Sequence, residues 1–349
     1  MLPAGLLSIG ALTVIAYLAK IQSGRVGSTS EVTALLTFVM GAMTLLADVW
    51  IALALGVINT MLLSEKAELE SYVERLNRVE FLATIKFLLV TVIILPVLPN
   101  QEYTEFKLNP TRIWQIVILV STVGFVGYFL SKKYGARLGL WLSGLLGGIV
   151  SSTAVTIAAG RTAQKFPEQA GHALQASILA GSVMYIRILV LIWAINPGFV
   201  PVLWWRVVLL AIIGMVLSVR VSSTTTATEE TVGPGLQNPF ELRPAIAFAV
   251  LFVLLSIATG LVKGTIGDAG VLALSAVVGV TDIDPFILSL VHSTEGSTRV
   301  VLSAIIVAMM SNTIAKGIYF SMLVPAARKE TAWRFAVWAV AHVPFVFLS

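Results

Sequence analysis

The chain has 349 residues, of which 57% are hydrophobic and 12% charged, and its mean hydropathy is +0.93. Soluble domains carry about 25% charged residues, so this composition excludes a soluble globular protein and indicates a membrane protein. The net charge of +5 comes mostly from short segments between apolar runs, where a cytoplasmic bias of basic residues explains it better than nucleic-acid binding. Because the chain has no cysteine, disulfides and thiolate metal sites are excluded.

Apolar runs recur along the whole length, and about 20 such residues suffice to cross a hydrocarbon core of about 30 Å. The first run lacks a basic residue before it and a small-residue cleavage site after it, which favours a transmembrane helix over a signal peptide. We therefore predict an all-α, polytopic helical membrane protein with about 12 transmembrane segments. The predicted spans are 2–20, 31–46, 49–64, 80–98, 112–131, 138–160, 172–195, 202–221, 243–262, 268–291, 300–323 and 332–348.

The predicted organisation has four parts. Residues 1–108 form an N-terminal region of four helices, and the amphipathic pattern at 64–79 predicts a helix on the membrane surface. Residues 222–237 are rich in Ser, Thr and Gly, which is typical of a flexible polar linker. This linker separates residues 109–221 from residues 238–349, which we interpret as two copies of an internal repeat.

Matching residues at nearly constant spacing support the repeat. Asn109 recurs as Asn238 at a distance of 129 positions, and Gly147 recurs as Gly279 at 132. Arg187 matches Lys316, again at 129. Many transporters are built from such repeats, with their site between the copies near the midplane. Four spans in each copy predict parallel copies, which we prefer, whereas re-entrant hairpins would make the copies inverted.

Each copy contains an apolar helix that is interrupted at mid-length. In the first copy paired glycines precede Ser151, and in the second copy Gly279 precedes Asp282 and Asp284. Glycine tolerates the turn, and a Ser or Asp side chain caps the free backbone N–H groups of a new helix. Both segments are therefore predicted to break and to point a partly positive helix N-terminus inward.

Two basic residues are expected deep in the membrane. Arg187 lies near the centre of its span, and Lys316 lies about five residues from the centre of its own, about 7 Å along the axis. Buried bases need partners, and Asp282 and Asp284 are the obvious ones, so salt bridging alone competes with a transport role. The candidate ion-binding residues are Ser151, Ser152, Thr153, Arg187, Asp282, Asp284, Ser311, Asn312 and Lys316, with Asp282 and Asp284 as candidate metal ligands.

Nothing in the sequence points to catalysis. The three histidines lack metal-ligand spacing, and we find no nucleophile beside a base and no phosphate-binding loop. We expect a protein that is not an enzyme and uses no cofactor, driven by an ion gradient or by diffusion.

Several motifs resemble a known family. They are Gly147-Gly148-Ile149-Val150-Ser151-Ser152-Thr153-Ala154-Val155-Thr156, Asn238-Pro239-Phe240-Glu241-Leu242-Arg243-Pro244 and Gly267-Asp268-Ala269-Gly270. With them the chain resembles bacterial and archaeal membrane proteins of the MgtC/SapB group, specifically the C-terminal membrane domain of unknown function in their longer members. The Arg-Thr-Phe-type motif of the MgtC-like N-terminal portion is absent from this sequence. The family name implies a magnesium transporter.

The leading hypothesis is a secondary transporter or channel for a small ion, with its site between the two broken helices. The carboxylates suit a cation such as Mg²⁺, which proteins usually bind through one or two carboxylates. Two helix N-termini with Arg187 and Lys316 suit an anion instead, and a membrane regulator that binds a partner protein is a further alternative. The expected partners are the lipid bilayer and the small ion or solute, with homo-oligomer formation left open. The expected location is the plasma (inner) membrane of a prokaryote.

Overall fold

The computed structural model describes residues 2–22, 29–46, 49–65, 78–106, 108–134, 140–219, 242–292 and 298–347. Within these ranges the chain is almost entirely helical. The helices are α1 (Leu2–Gln22), α2 (Thr29–Leu46), α3 (Val49–Ser64), α4 (Arg78–Val97), α5 (Pro110–Tyr134), α6 (Leu140–Lys165), α7 (Ala170–Ile195), α8 (Val200–Val219), α9 (Leu242–Ile266), α10 (Asp268–Val278), α11 (Asp284–His292), α12 (Thr298–Leu323) and α13 (Arg328–Phe347).

The prediction of an all-α polytopic membrane fold is confirmed. Six described helical segments are long and apolar enough to cross a membrane. They are Leu2–Gln22, Pro110–Ser131, Pro167–Ile195, Pro197–Val219, Arg243–Ile266 and Thr298–Leu323. The predicted number of twelve spans is not confirmed. In two of the twelve expected spans, the described residues 140–160 and 268–291 form helical hairpins rather than single crossings.

The chain forms two compact units, Met1–Phe81 and Leu82–Ser349. In the first unit, α1 and α2 are joined by an ion pair between the Lys20 ammonium and the Glu31 carboxylate at 3.3 Å. Most of the amphipathic segment predicted at 64–79, and the linker predicted at 222–237, lie outside the described residues. The second unit holds both copies of the repeat.

The two copies have corresponding helices in the same order. A short helical turn, Pro197–Phe199, joins α7 to α8, and its counterpart Pro325–Ala327 joins α12 to α13. The starts of α7 and α12 lie 128 positions apart (298 − 170), and so do their ends. The matches at 129 positions, including Arg187 with Lys316, are therefore one residue out of register, and Lys316 corresponds to Ile188.

Helices α8 and α13 pack against each other in opposite directions. The Arg334 guanidinium contacts the Leu217 carbonyl, and the Trp338 indole donates to the Leu210 carbonyl at 2.9 Å. Further along, the rings of Trp205 and Phe345 lie 5.6 Å apart. Because α8 and α13 are equivalent helices, their antiparallel packing relates the copies by an axis perpendicular to the helices. The copies are therefore inverted, and the preferred parallel arrangement is wrong.

Helix α6 folds back on itself at Ser151, whose φ and ψ of −160° and 106° are those of extended backbone. In its first arm, 140–150, a β-carbon at Gly144 would lie 2.7 Å from Ala176 Cα, and one at Gly148 would lie 2.6 Å from Ala180 Cα. This arm therefore runs parallel to α7.

The second arm of α6, 152–165, runs the other way. Ser152 donates to the sulfur of Met184 at 3.0 Å, and the hydroxyls of Thr156 and Ser177 are hydrogen-bonded at 2.8 Å. Higher residue numbers in this arm thus meet lower numbers on α7. Both arms lead from a tip at Ser151 back toward the N-terminal end of α7. We call this segment hairpin A.

Helices α10 and α11 form the equivalent hairpin B, with residues 279–283 as its tip. α11 runs parallel to α7, since Arg187 contacts Asp284 and the Asn196 amide donates to the Val291 carbonyl at 3.3 Å. α10 follows directly after α9. A β-carbon at Gly260 of α9 would lie 2.6 Å from the ring of Phe106, which closely precedes α5.

The two hairpins open toward opposite ends of the second unit. We call one the Arg112 end, because Arg112, Ala194 and His292 line one cavity there, at the outer end of hairpin B. We call the other the Lys165 end, where hairpin A begins and ends. Gly160, near its C-terminus, packs there against Leu323 of α12. Each hairpin thus enters from its own end, and the two tips meet between them.

Candidate functional site

The tip of hairpin A is built by hydroxyl capping. The Ser151 hydroxyl accepts a hydrogen bond from the Ala154 N–H at 3.2 Å, so Ser151 is the N-cap of the second arm. Thr156 donates to the Ser152 carbonyl at 2.9 Å, which ties its hydroxyl to its own helix. The predicted break is confirmed here.

The carbonyls that this break frees are satisfied by Arg187. Its guanidinium donates to the Ile149 carbonyl at 2.9 Å and to the Val150 carbonyl at 2.8 Å. These carbonyls end the first arm and carry the partial negative charge of a helix C-terminus, which favours a cation. The same guanidinium forms an ion pair with the Asp284 carboxylate of hairpin B. Arg187 therefore joins the two copies at the point where their tips meet.

The tip of hairpin B is capped differently. The Asn312 amide donates to the carbonyls of Gly279 and Thr281 at 2.9 and 3.0 Å. Ser311 donates to the Ala276 carbonyl at 2.5 Å. At the start of α11, the Asp282 carboxylate accepts from the Asp284 N–H at 3.2 Å. The predicted break of the second copy is confirmed, and α11 starts at Asp284, as the alignment with Ser152 predicts.

A cavity of about 530 Å³ lies between the tips. Seven of the nine predicted site residues line this cavity, and Ser151 to Thr153 form one continuous edge of it. The seven are Ser151, Ser152, Thr153, Arg187, Asp282, Asp284 and Asn312. The opposite wall is apolar and comes from α5 and α9, including Val120, Phe248 and Leu251. The cavity is therefore amphipathic, with its charges on the hairpin side.

Two predicted site residues lie outside the cavity lining, namely Ser311, which caps hairpin B, and Lys316. Lys316 is only 2% exposed, and its ammonium donates to the sulfur of Met184 at 3.1 Å. Ser152 of hairpin A donates to the same sulfur, which is a weak acceptor. In this part of the structure the ion pair joins Asp284 to Arg187, and Lys316 is buried beside Met184.

Several residues that line the cavity are not among the predicted site residues. Met184, Thr281 and Tyr319 line the cavity, and the Tyr319 hydroxyl donates to the Val280 carbonyl at 2.9 Å. Met184 and Tyr319 belong to apolar stretches that look alike throughout the chain, so only their spacing of three from Arg187 and from Lys316 could have identified them. Thr281 directly precedes the predicted site residue Asp282. In the described part of the chain, no three His, Cys, Asp or Glu side chains come together.

A buried polar cluster lies beside the cavity. The Tyr185 hydroxyl is hydrogen-bonded to the Thr313 hydroxyl and, at 2.8 Å, to the imidazole of His342. The second nitrogen of His342 is 2.8 Å from the Trp338 carbonyl. Tyr185 and Thr313 are equivalent residues of the two copies, 128 positions apart, so this cluster marks where α7 and α12 cross.

Residues 118–323 match a protein family described as a domain of unknown function, DUF4010. The chain belongs to this family. The DUF4010 segment contains both hairpins together with Arg187, Asp284, Asn312 and Lys316, so it holds the whole cavity lining. The chain is also similar to an uncharacterized protein of Aquifex aeolicus (strain VF5), with 31% identity over 195 residues, which are 54% of this chain and 83% of the relative. No solved structure matches the chain.

The resemblance to the MgtC/SapB group stays a prediction, because neither the DUF4010 description nor the name of the Aquifex relative mentions it.

Proposed function

We propose that this DUF4010 protein transports a small ion across the membrane and holds it in the cavity between the hairpin tips. The observation that carries the proposal is the meeting of two inverted, re-entrant hairpins at a polar cavity in a chain of membrane-spanning helices. In inverted-repeat transporters the substrate binds at broken helices near the interface between the copies. Non-helical backbone at membrane depth is tolerated where it is buried in protein or lines a cavity.

Capping alone explains only part of the site. Arg187 and Asn312 satisfy the carbonyls that the two breaks release. Asp282, however, is exposed to the cavity, although one carboxylate at Asp284 already begins α11. A second carboxylate at membrane depth is costly, and such residues commonly mark ion pathways.

The two ends of the unit differ in a way that fits alternating access. At the Arg112 end, Ile195 and His292 line a second cavity of about 430 Å³. Their equivalents at the Lys165 end are Leu323 and Gly160, and these pack closely, since a β-carbon at Gly160 would lie 2.7 Å from Leu323. The Arg112 end therefore has a cavity at the position where the Lys165 end is packed. An exchange of conformations between the inverted copies opens the Lys165 end and closes the Arg112 end.

The distribution of basic residues orients the protein. In the described helices of the second unit, eight Lys and Arg residues lie near the Lys165 end: Lys132, Lys133, Arg161, Lys165, Arg243, Arg328, Lys329 and Arg334. Four lie near the Arg112 end: Arg112, Arg206, Lys263 and Arg299. Because cytoplasmic segments are enriched in Lys and Arg, the Lys165 end is assigned to the cytoplasm of a prokaryotic plasma membrane.

Transport is tested with purified protein in liposomes. Uptake of Na⁺, K⁺, Mg²⁺, phosphate and small carboxylates is measured for the wild type and for Asp282→Asn. The matched control is Asp268→Asn, because Asp268 is exposed at the start of hairpin B and does not line the cavity. We expect flux of at least one ion, unchanged in the control and reduced at least about tenfold in Asp282→Asn, as the loss of one ligand contact of about 1.4 kcal/mol predicts. Absence of flux for every ion, with folded protein, refutes transport.

A further inference from the structure

Unpartnered oxygen atoms gather at the tip of hairpin B. The Asn312 side chain is 2% exposed, and both of its recorded hydrogen bonds are made by Nδ2 to carbonyl oxygens. These two acceptors fix the orientation of the amide, because only the nitrogen can donate. Asn312 Oδ1 is buried and has no hydrogen-bond partner.

Asp284 presents the same feature. It is 4% exposed, and one carboxylate oxygen forms the ion pair with Arg187. Its other oxygen, Oδ1, is buried without a partner. Two residues earlier, Asp282 carries a carboxylate that is exposed to the same cavity. The Asn312 hydrogen bonds hold its amide against the turn that leads to Asp282, so all three side chains belong to one local structure.

The unsatisfied atoms around this cavity are mostly acceptors. Among the described residues that line it, Asn312 and Asp284 each have an orphan oxygen, whereas Arg187 Nε is the orphan donor. The remaining guanidinium nitrogens of Arg187 already bind two carbonyls and Asp284. An anion would meet oxygen atoms at this tip, while a cation would satisfy them.

We propose that Asp282, Asp284 Oδ1 and Asn312 Oδ1 bind a small monovalent cation of the Na⁺ class, either as the transported ion or as the ion that drives transport. This proposal adds a substrate class to the proposed function. It rests on that function only for the role of the bound cation in transport, not for the binding itself. Carboxylate and amide oxygens are ligands that hard cations accept in proteins.

The local charge decides between monovalent and divalent ions. Asp282 and Asp284 contribute two negative charges, and Arg187 contributes one positive charge, so the lining carries a net charge of −1. Lys316, buried behind Met184, brings the four groups to zero when it is protonated. A divalent ion would leave one more uncompensated positive charge than a monovalent ion in a largely apolar surrounding, where such charge is expensive. This count favours Na⁺ over the Mg²⁺ expected from the sequence.

The test measures binding without transport. Detergent-purified protein in choline chloride is titrated with NaCl, LiCl, KCl and MgCl₂ by calorimetry, and ²²Na⁺ binding is measured in parallel. We expect saturable Na⁺ binding that is not displaced by equimolar Mg²⁺. The affinity should fall at least about tenfold in Asp282→Asn, the range found when a metal site loses a supporting group. It should be unchanged in Asp268→Asn, which retains the same fold and loses an exposed carboxylate outside the cavity.

Asp282→Asn is suited to this purpose because the new amide oxygen still accepts the Asp284 N–H, so the cap at the start of α11 is retained. Equal Na⁺ affinity in wild type and Asp282→Asn overturns the site, as does Mg²⁺ binding that displaces Na⁺. Flux without any Na⁺ binding also overturns the site but leaves transport standing. Na⁺ binding that depends on Asp282, without flux of any ion, supports the site and refutes transport.

Discussion

Removal of the Arg187 guanidinium should destabilise the fold strongly, because this group bridges the two copies. Its side chain is 10% exposed, and the Asp284 side chain is 4% exposed. Breaking a buried ion pair by removing one partner costs about 3–5 kcal/mol, since the other charge stays buried without compensation. Arg187→Gln also removes the hydrogen bonds to the Ile149 and Val150 carbonyls. We expect the midpoint of thermal unfolding to fall by on the order of 10 °C.

A double-mutant cycle separates the ion pair from the capping. Asp284→Asn leaves Arg187 bound to its two carbonyls, so it should cost less, about 1–3 kcal/mol. The double variant, Arg187→Gln with Asp284→Asn, removes both charges of the buried ion pair. Its loss of stability should be smaller than the sum of the single losses by about 1–3 kcal/mol, the size of coupling found between contacting residues.

Reversible unfolding in mixed micelles supplies the free energies, and Glu330→Gln is the control. Glu330 pairs with Arg334 one turn away at 2.6 Å but is 47% exposed. Such an exposed helical pair is worth about 0.3–0.5 kcal/mol. If Arg187→Gln is no more destabilising than Glu330→Gln, or if the two single losses simply add, Arg187 does not link the tips in the way described.

Three further predictions concern packing, the buried cluster and topology. Gly148→Ala should destabilise the protein by about 1–3 kcal/mol in thermal unfolding, because its β-carbon would lie 2.6 Å from Ala180 Cα. The control Gly264→Ala should be neutral or stabilising, because a β-carbon there has nothing within 4 Å. Equal effects of the two substitutions would contradict the packing of hairpin A. Tyr185→Phe should cost about 1–3 kcal/mol because Thr313 and His342 lose their common partner, whereas Tyr103→Phe, at an exposed residue, should change the unfolding free energy by less than about 0.5 kcal/mol. Single-cysteine variants of this cysteine-free chain should react with a membrane-impermeant maleimide from opposite sides of the membrane. We expect Gln101→Cys and Asp268→Cys to react from one side, and Glu168→Cys and Ala326→Cys from the other. If both broken helices crossed the membrane continuously, the two members of each pair would lie on different sides.

The breaks were predictable because their chemistry is local. Gly148 and Gly279 lie just before the breaks, and the side chains of Ser151 and Asp282 cap the helices that follow, so the position of each break is indicated by the residues themselves. The content of helix and the existence of the repeat were equally accessible from the sequence. The candidate residues Ser151, Arg187, Asp282 and Asp284 line one cavity. Three of them are identified by the breaks, and Arg187 by its position as a base near the centre of an apolar span.

The direction of the chain after each break was not predictable. Residues 138–160 have the length and apolarity of a crossing helix, and a hairpin of two short arms has the same composition. Tertiary packing determines whether such a segment is a crossing helix or a hairpin. Gly144 and Gly148 approach Ala176 and Ala180 in the same order along both helices, which places the first arm parallel to α7. The sequence contains small residues spaced by four in both segments, but it does not indicate which of them contact each other.

The partner of Lys316 was missed for a related reason. The Lys316 ammonium donates to the thioether of Met184, and an expectation that buried bases pair with carboxylates does not include a thioether. In addition, the alignment of Lys316 with Arg187 is one residue out of register. One residue turns a helical position by about 100°, enough to direct the side chain to another neighbour. Arg187 therefore reaches the tips, whereas Lys316 lies behind Met184.

The hairpin arrangement also explains why both tips are polar. A helix that turns back presents its first arm's C-terminal carbonyls and its second arm's N-terminal amides at the same point, so each tip offers negative and positive partial charge together. In hairpin A the carbonyls are taken by Arg187, and the amide end is capped by Ser151. In hairpin B the neutral amide of Asn312 takes the carbonyls, so the carboxylates of Asp282 and Asp284 add negative charge, and the base that pairs with Asp284 is Arg187 of the other copy. The inverted copies thus place the base of one against the acids of the other. A cation at the proposed site would use Asp284 Oδ1 while Arg187 holds the other oxygen of the same carboxylate. This shared carboxylate would couple occupancy of the cavity to the contact that holds the two copies together.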